Sequence, residues 1–358
     1  MYALCLDIGT SSLKGAVISS EGKLVSDGRI YYSKEVVWQQ ALHELVCELD
    51  TSFFIDAVAV SGSGPTFIPL KKDDSIGAPL LWFEKKEKSL MYGKSLYLPK
   101  LMWFKENQLE DFENTEQFLT MDGYFNYLLT GECAAPVFDD RFIPFFWNKE
   151  DADKNGIGFD KLPPLIHTGE KIGTVKKDAE KLFGIKAGTP VFAGGSDFLM
   201  AILGTATLKP GQVCDRAGTS EGINFCCEAK KKTKDPAIRV MPHITSGCTN
   251  ISVRIEESSN LIEHDQEQYS QLLCRALQAL EAEGCTVTAL RMSGGQAKNP
   301  EWNQLRANIT GKQILVPEIA DGELAGCACA AFSGLGLWES PTQAAEAIVR
   351  IAREYTPE

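Results

Sequence analysis

The residues richest in chemistry form two short loops, each placing Gly-Thr-Ser between apolar stretches. One is Asp7-Ile8-Gly9-Thr10-Ser11-Ser12-Leu13-Lys14-Gly15 near the start; the other is Ala217-Gly218-Thr219-Ser220-Glu221-Gly222 in the second half. Hydroxyls and backbone N–H groups of such turns donate to phosphate oxygens, and glycine lets the backbone come close. The candidate phosphate contacts are Gly9, Thr10, Ser11, Ser12 and Lys14 in the first loop and Gly218, Thr219 and Ser220 in the second. Asp7 is the candidate for magnesium, held through coordinated water because a hard cation takes carboxylate and water oxygens. A tight hairpin with no ligand has the same look over so few residues. Two of them, suited to closing from opposite sides on one polyphosphate, point to ATP with Mg2+.

A third segment, Ala193-Gly194-Gly195-Ser196-Asp197, puts a carboxylate at a strand-to-helix junction where glycines admit a bound substrate. Asp197 is the candidate general base: it can orient an acceptor hydroxyl and take its proton as the oxygen attacks the γ-phosphorus. Ser196-Asp197 equally suits a helix cap, and the local pattern leaves both readings open. In Ser293-Gly294-Gly295-Gln296-Ala297-Lys298-Asn299, the two glycines can pass beneath adenine or ribose while Gln296 and Asn299 offer polar contacts. No Gly-x-x-x-x-Gly-Lys-Ser/Thr occurs, and no Gly-x-Gly-x-x-Gly follows a first strand, which argues against P-loop and dinucleotide-binding enzymes. His43, His167, His243 and His264 lack metal-ligand spacing, and the eleven cysteines form no paired Cys-x-x-Cys knuckles.

The elements that must position these groups are legible in part. Residues 2–6, 13–18 and 24–32 read as three strands joined by short turns, an antiparallel meander. Residues 36–49 carry a helical pattern and 56–60 a further strand, followed by the loop Ser61-Gly62-Ser63-Gly64-Pro65. Residues 71–150 resist organisation; their many aromatic rings suit either core packing or the apolar face of a sugar. A helix near 178–183 and a brief strand at Val191 and Phe192 lead to Asp197 and an apolar helix over 198–203. The second half repeats the opening, with strands at 212–216 and 222–226 around the second loop, which suggests internal duplication. Residues 228–264 read as polar and irregular, 269–283 as an amphipathic helix, and 287–292 and 313–316 as strands. The run through Glu323, Ala325, Gly326, Ala328, Ala330 and Ala331 is a small-residue helix suited to tight packing or to a flat ligand. The fold expected is α/β, a two-lobed actin-like ATPase (RNase H-like) fold with mixed sheets flanked by helices and a cleft between the lobes. Its domains are expected over residues 1–199, with the acceptor site and first phosphate loop, and 200–358, with the nucleotide site.

A formal net charge of −12 argues against nonspecific binding to nucleic acid or to an anionic membrane. No run is long enough to cross a bilayer, the first residues enter a strand directly, and the thiols are odd in number, so a cytoplasmic enzyme is the expectation.

The ordered set Asp7-Ile8-Gly9-Thr10, Gly194-Gly195-Ser196-Asp197, Ala217-Gly218-Thr219-Ser220 and Ser293-Gly294-Gly295 resembles the FGGY carbohydrate kinases, most closely their xylulokinase-like members. Val60-Ser61-Gly62, Pro79-Leu80-Leu81-Trp82, Leu128-Leu129-Thr130-Gly131-Glu132 and Ala187-Gly188-Thr189-Pro190-Val191 add to the likeness. The resemblance implies transfer of the γ-phosphate of ATP, with magnesium, to a hydroxyl of an open-chain sugar or polyol such as xylulose. It implies Asp197 as catalytic aspartate, Asp7 and Thr10 on the first phosphate loop, Gly218 and Thr219 on the second, and Gly294, Gly295 and Asn299 on the adenosine loop.

The departures bear on the acceptor. Ser63-Gly64-Pro65-Thr66 stands where Gln-Met-His-Gly is frequent, and Trp82-Phe83-Glu84-Lys85-Lys86 where Trp-x-Asp-x-Arg is common. Ser63, Trp82, Glu84 and Lys86 are therefore the candidate sugar contacts, with altered specificity, since Lys lacks the planar fork of Arg. The chain is also short for the family between Asn224 and Tyr269, a stretch tied to subunit contacts; a homodimer is left open. Two alternatives stand beside the sugar kinase: a nucleotide- or sugar-binding sensor without turnover, and an actin-like kinase of another small metabolite.

Overall fold

The computed structural model describes residues 1–32, 38–49, 54–218, 220–228, 232–233 and 235–358. It divides into two compact units. One comprises Met1–Val17, Val25–Asp197 and Ala330–Gly336; the other comprises Ile18–Leu24, Phe198–Cys329 and Leu337–Glu358. The main division therefore falls between Asp197 and Phe198, and each unit also takes a short segment from the other's stretch of chain.

The first unit is built on a six-stranded sheet in the order Leu24–Tyr31, Ser12–Ser19, Tyr2–Ile8, Ala57–Gly62, Pro190–Ser196, Lys171–Thr174. The first three strands are the expected meander. The helix Trp38–Glu48 then buries Trp38, Ala41, Leu42, Leu45 and Val46 against sheet residues that include Leu4, Leu6, Leu13 and Val17. Each fully buried Leu contributes about 1.5–3 kcal/mol to holding helix on sheet. Gly15 makes the approach possible, since a Cβ there would lie 2.8 Å from Leu45 Cδ2. The expected start of this helix, Val36 and Val37, lies outside the described residues.

Ala57–Gly62 runs parallel to Tyr2–Ile8, and Pro190–Ser196 runs parallel to Ala57–Gly62. The last strand is seven residues long instead of the two expected at Val191 and Phe192, because Ala193-Gly194-Gly195-Ser196 continues it without a loop. Glycine is required where it crosses Ala57–Gly62: a Cβ on Gly194 would lie 2.1 Å from Val60 O. The register shifts between Ala193 and Gly195 at the same place.

The second unit repeats this plan. Its seven strands lie in the order Arg239–Pro242, Thr249–Ile255, Glu221–Cys227, Val213–Ala217, Ala289–Ser293, Gln313–Pro317, Ile351–Tyr355. A meander, a covering helix (Gln266–Ala282) and two parallel strands recur in the same sequence, and each sheet ends in an antiparallel edge strand. The expected duplication is thus present at the level of topology. Its third meander strand, Thr249–Ile255, lies within the stretch read as irregular, because Asn250, Ser252 and Arg254 interrupt its apolar positions. The small-residue helix Gly322–Gly334 serves close packing: a Cβ on Gly326 would lie 2.1 Å from Met200 O, and one on Gly204 would lie 1.9 Å from Gly322 O.

Within residues 71–150, the strand Thr115–Thr120 pairs with Phe67–Lys71 just upstream, and the helices are Leu98–Asn107, Leu109–Asn114 and Met121–Thr130. Most of the rings there are core. Phe104, Tyr124, Phe125, Phe146 and Trp147 are buried, and Phe67, Tyr97 and Trp147 stack with centroids 5.2–5.6 Å apart. Among the described residues, no helix is long and apolar enough to cross a membrane.

Candidate active site

Three parallel strands of the first unit end together, and their register brings the candidate residues to one edge. Asp7, Ser61 and Gly195 share a row; Ile8, Gly62 and Ser196 share the next; Asp197 follows at once as the first residue of the helix Asp197–Gly204. Two strand spacings, ~10 Å, separate the Ile8 and Ser196 positions. The carboxyl ends of parallel strands are where open α/β sheets place ligands.

Asp7 is buried, yet its carboxylate is satisfied on both oxygens. Ser61 Oγ donates to Oδ1 at 3.0 Å, and Lys14 Nζ lies 3.5 Å from Oδ2. A buried carboxylate already paired to one lysine suits a water-mediated approach of magnesium better than direct ligation. Among the described residues, no three His, Cys, Asp or Glu side chains gather as a metal-ligand group. The loop itself is a closed hairpin in which Gly9 N donates to Ser12 O at 3.0 Å. Thr10 and Ser11 are exposed, whereas Ser12 points inward and is buried. Tyr32 O–H donates to Gly9 O; burial, and then the charge of Asp7, push that phenol well above its usual range, so it stays a donor.

Trp82, a candidate sugar contact, meets the first Gly-Thr-Ser hairpin directly: its indole Nε1–H donates to Thr10 Oγ1 at 3.0 Å. Because Thr10 accepts this bond, its own hydroxyl proton stays available for a phosphate oxygen. The loop around Trp82 is pinned from below by Lys100, which is 1% exposed and donates to Leu81 O at 2.8 Å and Glu84 O at 3.0 Å. Desolvation lowers the pKa of Lys100, and the nearby Glu87 and Glu84 oppose the shift. Glu84 accepts from Leu81 N at 3.1 Å and pairs with Lys86 at 3.0 Å, so these two candidate sugar contacts also brace one another. Ser63 is buried, its backbone N–H donating to Ile8 O at 3.0 Å.

Asp122, which the sequence did not single out, is a buried carboxyl near Asp197 at this edge. It lies in the first turn of the helix Met121–Thr130, where Thr120 caps by accepting from Gly123 N. The turn presses against Gly62, on which a Cβ would lie 2.6 Å from Asp122 N. Burial pushes the Asp122 carboxyl up to about 6, bonds from Thr120 and the Gly123 backbone oppose the shift, and the charge of Asp197 adds to it. Two carboxyl groups therefore feel each other at this edge. Thr120-x-x-Gly123 before an apolar helix was the available signal, a cap with an acid in the first turn.

In the second unit, Val213–Ala217 and Ala289–Ser293 are parallel neighbours, so the second Gly-Thr-Ser loop and the glycine loop leave the sheet side by side. A Cβ on Gly294, whose φ is +97°, would lie 2.5 Å from Ala217 O. Gly218 N donates to Ser220 O at 3.1 Å, two residues on, where Gly9 N reaches three residues on to Ser12; Thr219 lies outside the described residues. Gly295 is exposed. The side chain of Gln296 is buried, and its Nε2 donates to Gly218 O at 2.6 Å and Ser258 Oγ at 3.0 Å. Asn299 Oδ1 caps the helix Pro300–Thr310 by accepting from Glu301 N at 2.9 Å and Trp302 N at 3.2 Å. Both amides are thus engaged with protein beside the loop.

Two family models match the chain, the N-terminal domain of the FGGY family of carbohydrate kinases over residues 81–204 and its C-terminal domain over 270–335. An autoinducer-2 kinase of Enterobacter sp. (strain 638) is 24% identical over 345 residues; the alignment takes in 73% of this chain and 65% of that protein, just under two thirds of its length. Among solved structures, a ligand-bound xylulose kinase from Lactobacillus acidophilus superposes with a TM-score of 0.78 at 17% identity, covering 100% of this chain and 94% of the other. A gluconate kinase from the same organism gives 0.77 at 16% identity, with 100% and 94% covered.

Proposed function

From a chain that has the fold and both domains of the FGGY carbohydrate kinases, we propose ATP-dependent phosphorylation of a hydroxyl on an open-chain sugar or polyol, with a pentulose such as xylulose as the leading acceptor. The two domain matches and the fold support an ATP-dependent phosphotransferase. The observation that carries the finer reading is the row of strand ends that brings Asp7, Ser61 and Asp197 to one edge of the first sheet.

In this reading Asp197 accepts the proton of the acceptor hydroxyl while the oxygen attacks the γ-phosphorus. Each Gly-Thr-Ser loop is a phosphate-binding element of its own unit, through Thr10 and Ser11 in the first and Gly218 and Ser220 in the second. Magnesium, with Asp7 behind its water shell, would supply charge neutralisation for the phosphates. Trp82 and Ser63 meet the acceptor, with the Glu84–Lys86 pair fixing the loop beside it. The relatives' names span autoinducer-2, xylulose and gluconate, and this chain's own sugar loops, Ser63-Gly64-Pro65-Thr66 and Trp82-Phe83-Glu84-Lys85-Lys86, select among polyhydroxylated acceptors of that kind.

The test is an ATP-consumption screen over pentuloses, hexuloses, alditols and aldonates, with each product identified by mass, run beside Asp197→Asn. The expected result is a phosphorylated polyol and a loss of about 10²–10⁴-fold in the variant with nucleotide binding retained. ATP binding with no phosphorylated product across the panel would replace the kinase by a sensor. A folded Asp197→Asn enzyme within a few-fold of normal would remove Asp197 from the base role.

A further inference from the structure

Behind the second hairpin lies a buried polar cluster in an otherwise apolar core. Glu221 and Arg306 are both 0% exposed, with Arg306 NH2 3.6 Å from Glu221 Oε2. Tyr269 O–H donates to both Glu221 oxygens at 3.1 Å, and the Arg306 guanidinium lies 5.5 Å from the centre of the Tyr269 ring. Asp215, on the same sheet face, finds no hydrogen-bond donor for either oxygen among the described residues. Burial, and then the charge of Glu221, push its carboxyl well above the usual range. An ion pair so deep is costly to keep unless it fixes something.

What it fixes is an amide. Arg306 NH2 donates to Gln296 Oε1, and Gln296 Nε2 in turn donates to Gly218 O. A carboxamide can sit either way round, but the reverse orientation would set its NH2 against a guanidinium that has only donors. Arg306 therefore decides that Gln296 presents a donor to Gly218. A loop carbonyl held from behind cannot swing its lone pairs toward an incoming phosphate, where the two oxygens would repel.

We propose that Gln296 and Arg306 are positioning residues for the nucleotide: Glu221 holds Arg306, Arg306 orients Gln296, and Gln296 keeps the Gly218 carbonyl turned away from the phosphate. This rests on the second hairpin being a phosphate site. Gln296→Glu keeps the acceptor for Arg306 and sets an oxygen against Gly218 O; Gln296→Met keeps the length and removes the closer of two donors, leaving Ser258 Oγ at 3.5 Å from Gly218 O. Loss of one such bond corresponds to about 3–10-fold in affinity. The Kd for ATP, by calorimetry, and the KM for ATP should both rise by that factor in Gln296→Met and by more in Gln296→Glu. The acceptor KM should stay near that of the unaltered chain even though the lost buried bonds lower the melting temperature of both Gln296 variants, and the rise in the KM for ATP in Arg306→Lys, which retains a donor and a charge, should lie between those of the unaltered chain and Gln296→Met.

Unaltered ATP affinity in both Gln296 variants would overturn the proposal, as would equal rises in both KM values tracking a fall in melting temperature. The unaltered chain is titrated alongside. ATP binding there with no change in the variants sinks the relay alone, whereas no binding in the unaltered chain sinks the phosphate-site reading and the relay with it.

Discussion

The two Gly-Thr-Ser loops share a strand–loop–strand setting and have different foundations. In each, the glycine N–H closes the turn on a serine carbonyl, and in each a side chain donates to the glycine's own carbonyl: Tyr32 to Gly9 and Gln296 to Gly218. Behind the first stands a carboxylate, Asp7, paired with Lys14, whose side chain keeps 14% of its exposure. Behind the second stand two acids and an arginine sealed from water. Duplication supplied the strand–turn–strand, and the side chains behind it diverged: one hairpin keeps an acid close to the ligand edge, while the other puts its charges into holding a backbone group. A shared backbone motif therefore does not imply a shared source of electrostatics.

The largest expected effect breaks the second foundation. Arg306→Met leaves Glu221 buried without its cation and should cost about 3–5 kcal/mol in urea unfolding. Lys14→Met removes the matching partner of Asp7, but Ser61 still donates to that carboxylate and water reaches the site, so a loss of about 1–2 kcal/mol is expected. Equal costs would mean that the two foundations are energetically alike, and the contrast would fall.

Next comes the buried acid of the first unit. Asp122 rises from an ordinary carboxylate to about 6, so the folded chain holds its proton more tightly than the unfolded chain. Stability from this group is therefore greatest below about pH 4, falls as the unfolded chain ionises first between about pH 4 and 6, and stays reduced above that. Asp122→Asn should remove the decline and gain about 1–3 kcal/mol at pH 7. A variant whose stability still drops through that window, or that loses stability at pH 7, would show the carboxylate to be compensated.

How much of this was legible follows from where the signals lie. The hairpins and the Asp197 junction are local in sequence, so glycine and hydroxyl patterns disclosed them, as they did the first meander with its Leu-rich strands. Gln296 was legible as a polar group beside the glycine loop. That its amide turns to Gly218 depends on Arg306, ten residues on, and on Glu221 across the sheet, and no local pattern carries that. Asp122 and Lys100 were hidden for a related reason: both are ordinary helix-terminal charges until tertiary packing buries them. The strand Thr249–Ile255 was missed because three polar residues interrupt a strand whose apolar positions are otherwise buried.

A smaller effect separates the two carbonyl anchors. Tyr32→Phe deletes the donor to Gly9 O but leaves the ring packed, so stability should fall by about 1 kcal/mol and the KM for ATP should rise a few-fold. Gln296→Glu should exceed it, since it adds repulsion to the lost bond. If Tyr32→Phe proves the more damaging of the two, the first loop's carbonyl is the one that matters to nucleotide, and the two hairpins exchange places in the comparison.

The smallest effect tests the contact that Trp82 makes with Thr10 in the first hairpin. Trp82 donates to Thr10 Oγ1 at 3.0 Å from a partly exposed position, so water can replace the indole N–H, and Trp82→Phe should lower ATP affinity by only about twofold. The informative measurement is the double-mutant cycle with Thr10→Ala. If the indole acts by leaving the Thr10 proton free for phosphate, the effect of Trp82→Phe on ATP vanishes once the hydroxyl is gone, and any effect on the acceptor KM persists. Additive losses for ATP would mean that Trp82 reaches the nucleotide by another route, and the link between the Trp82 loop and the first hairpin would then be a matter of packing.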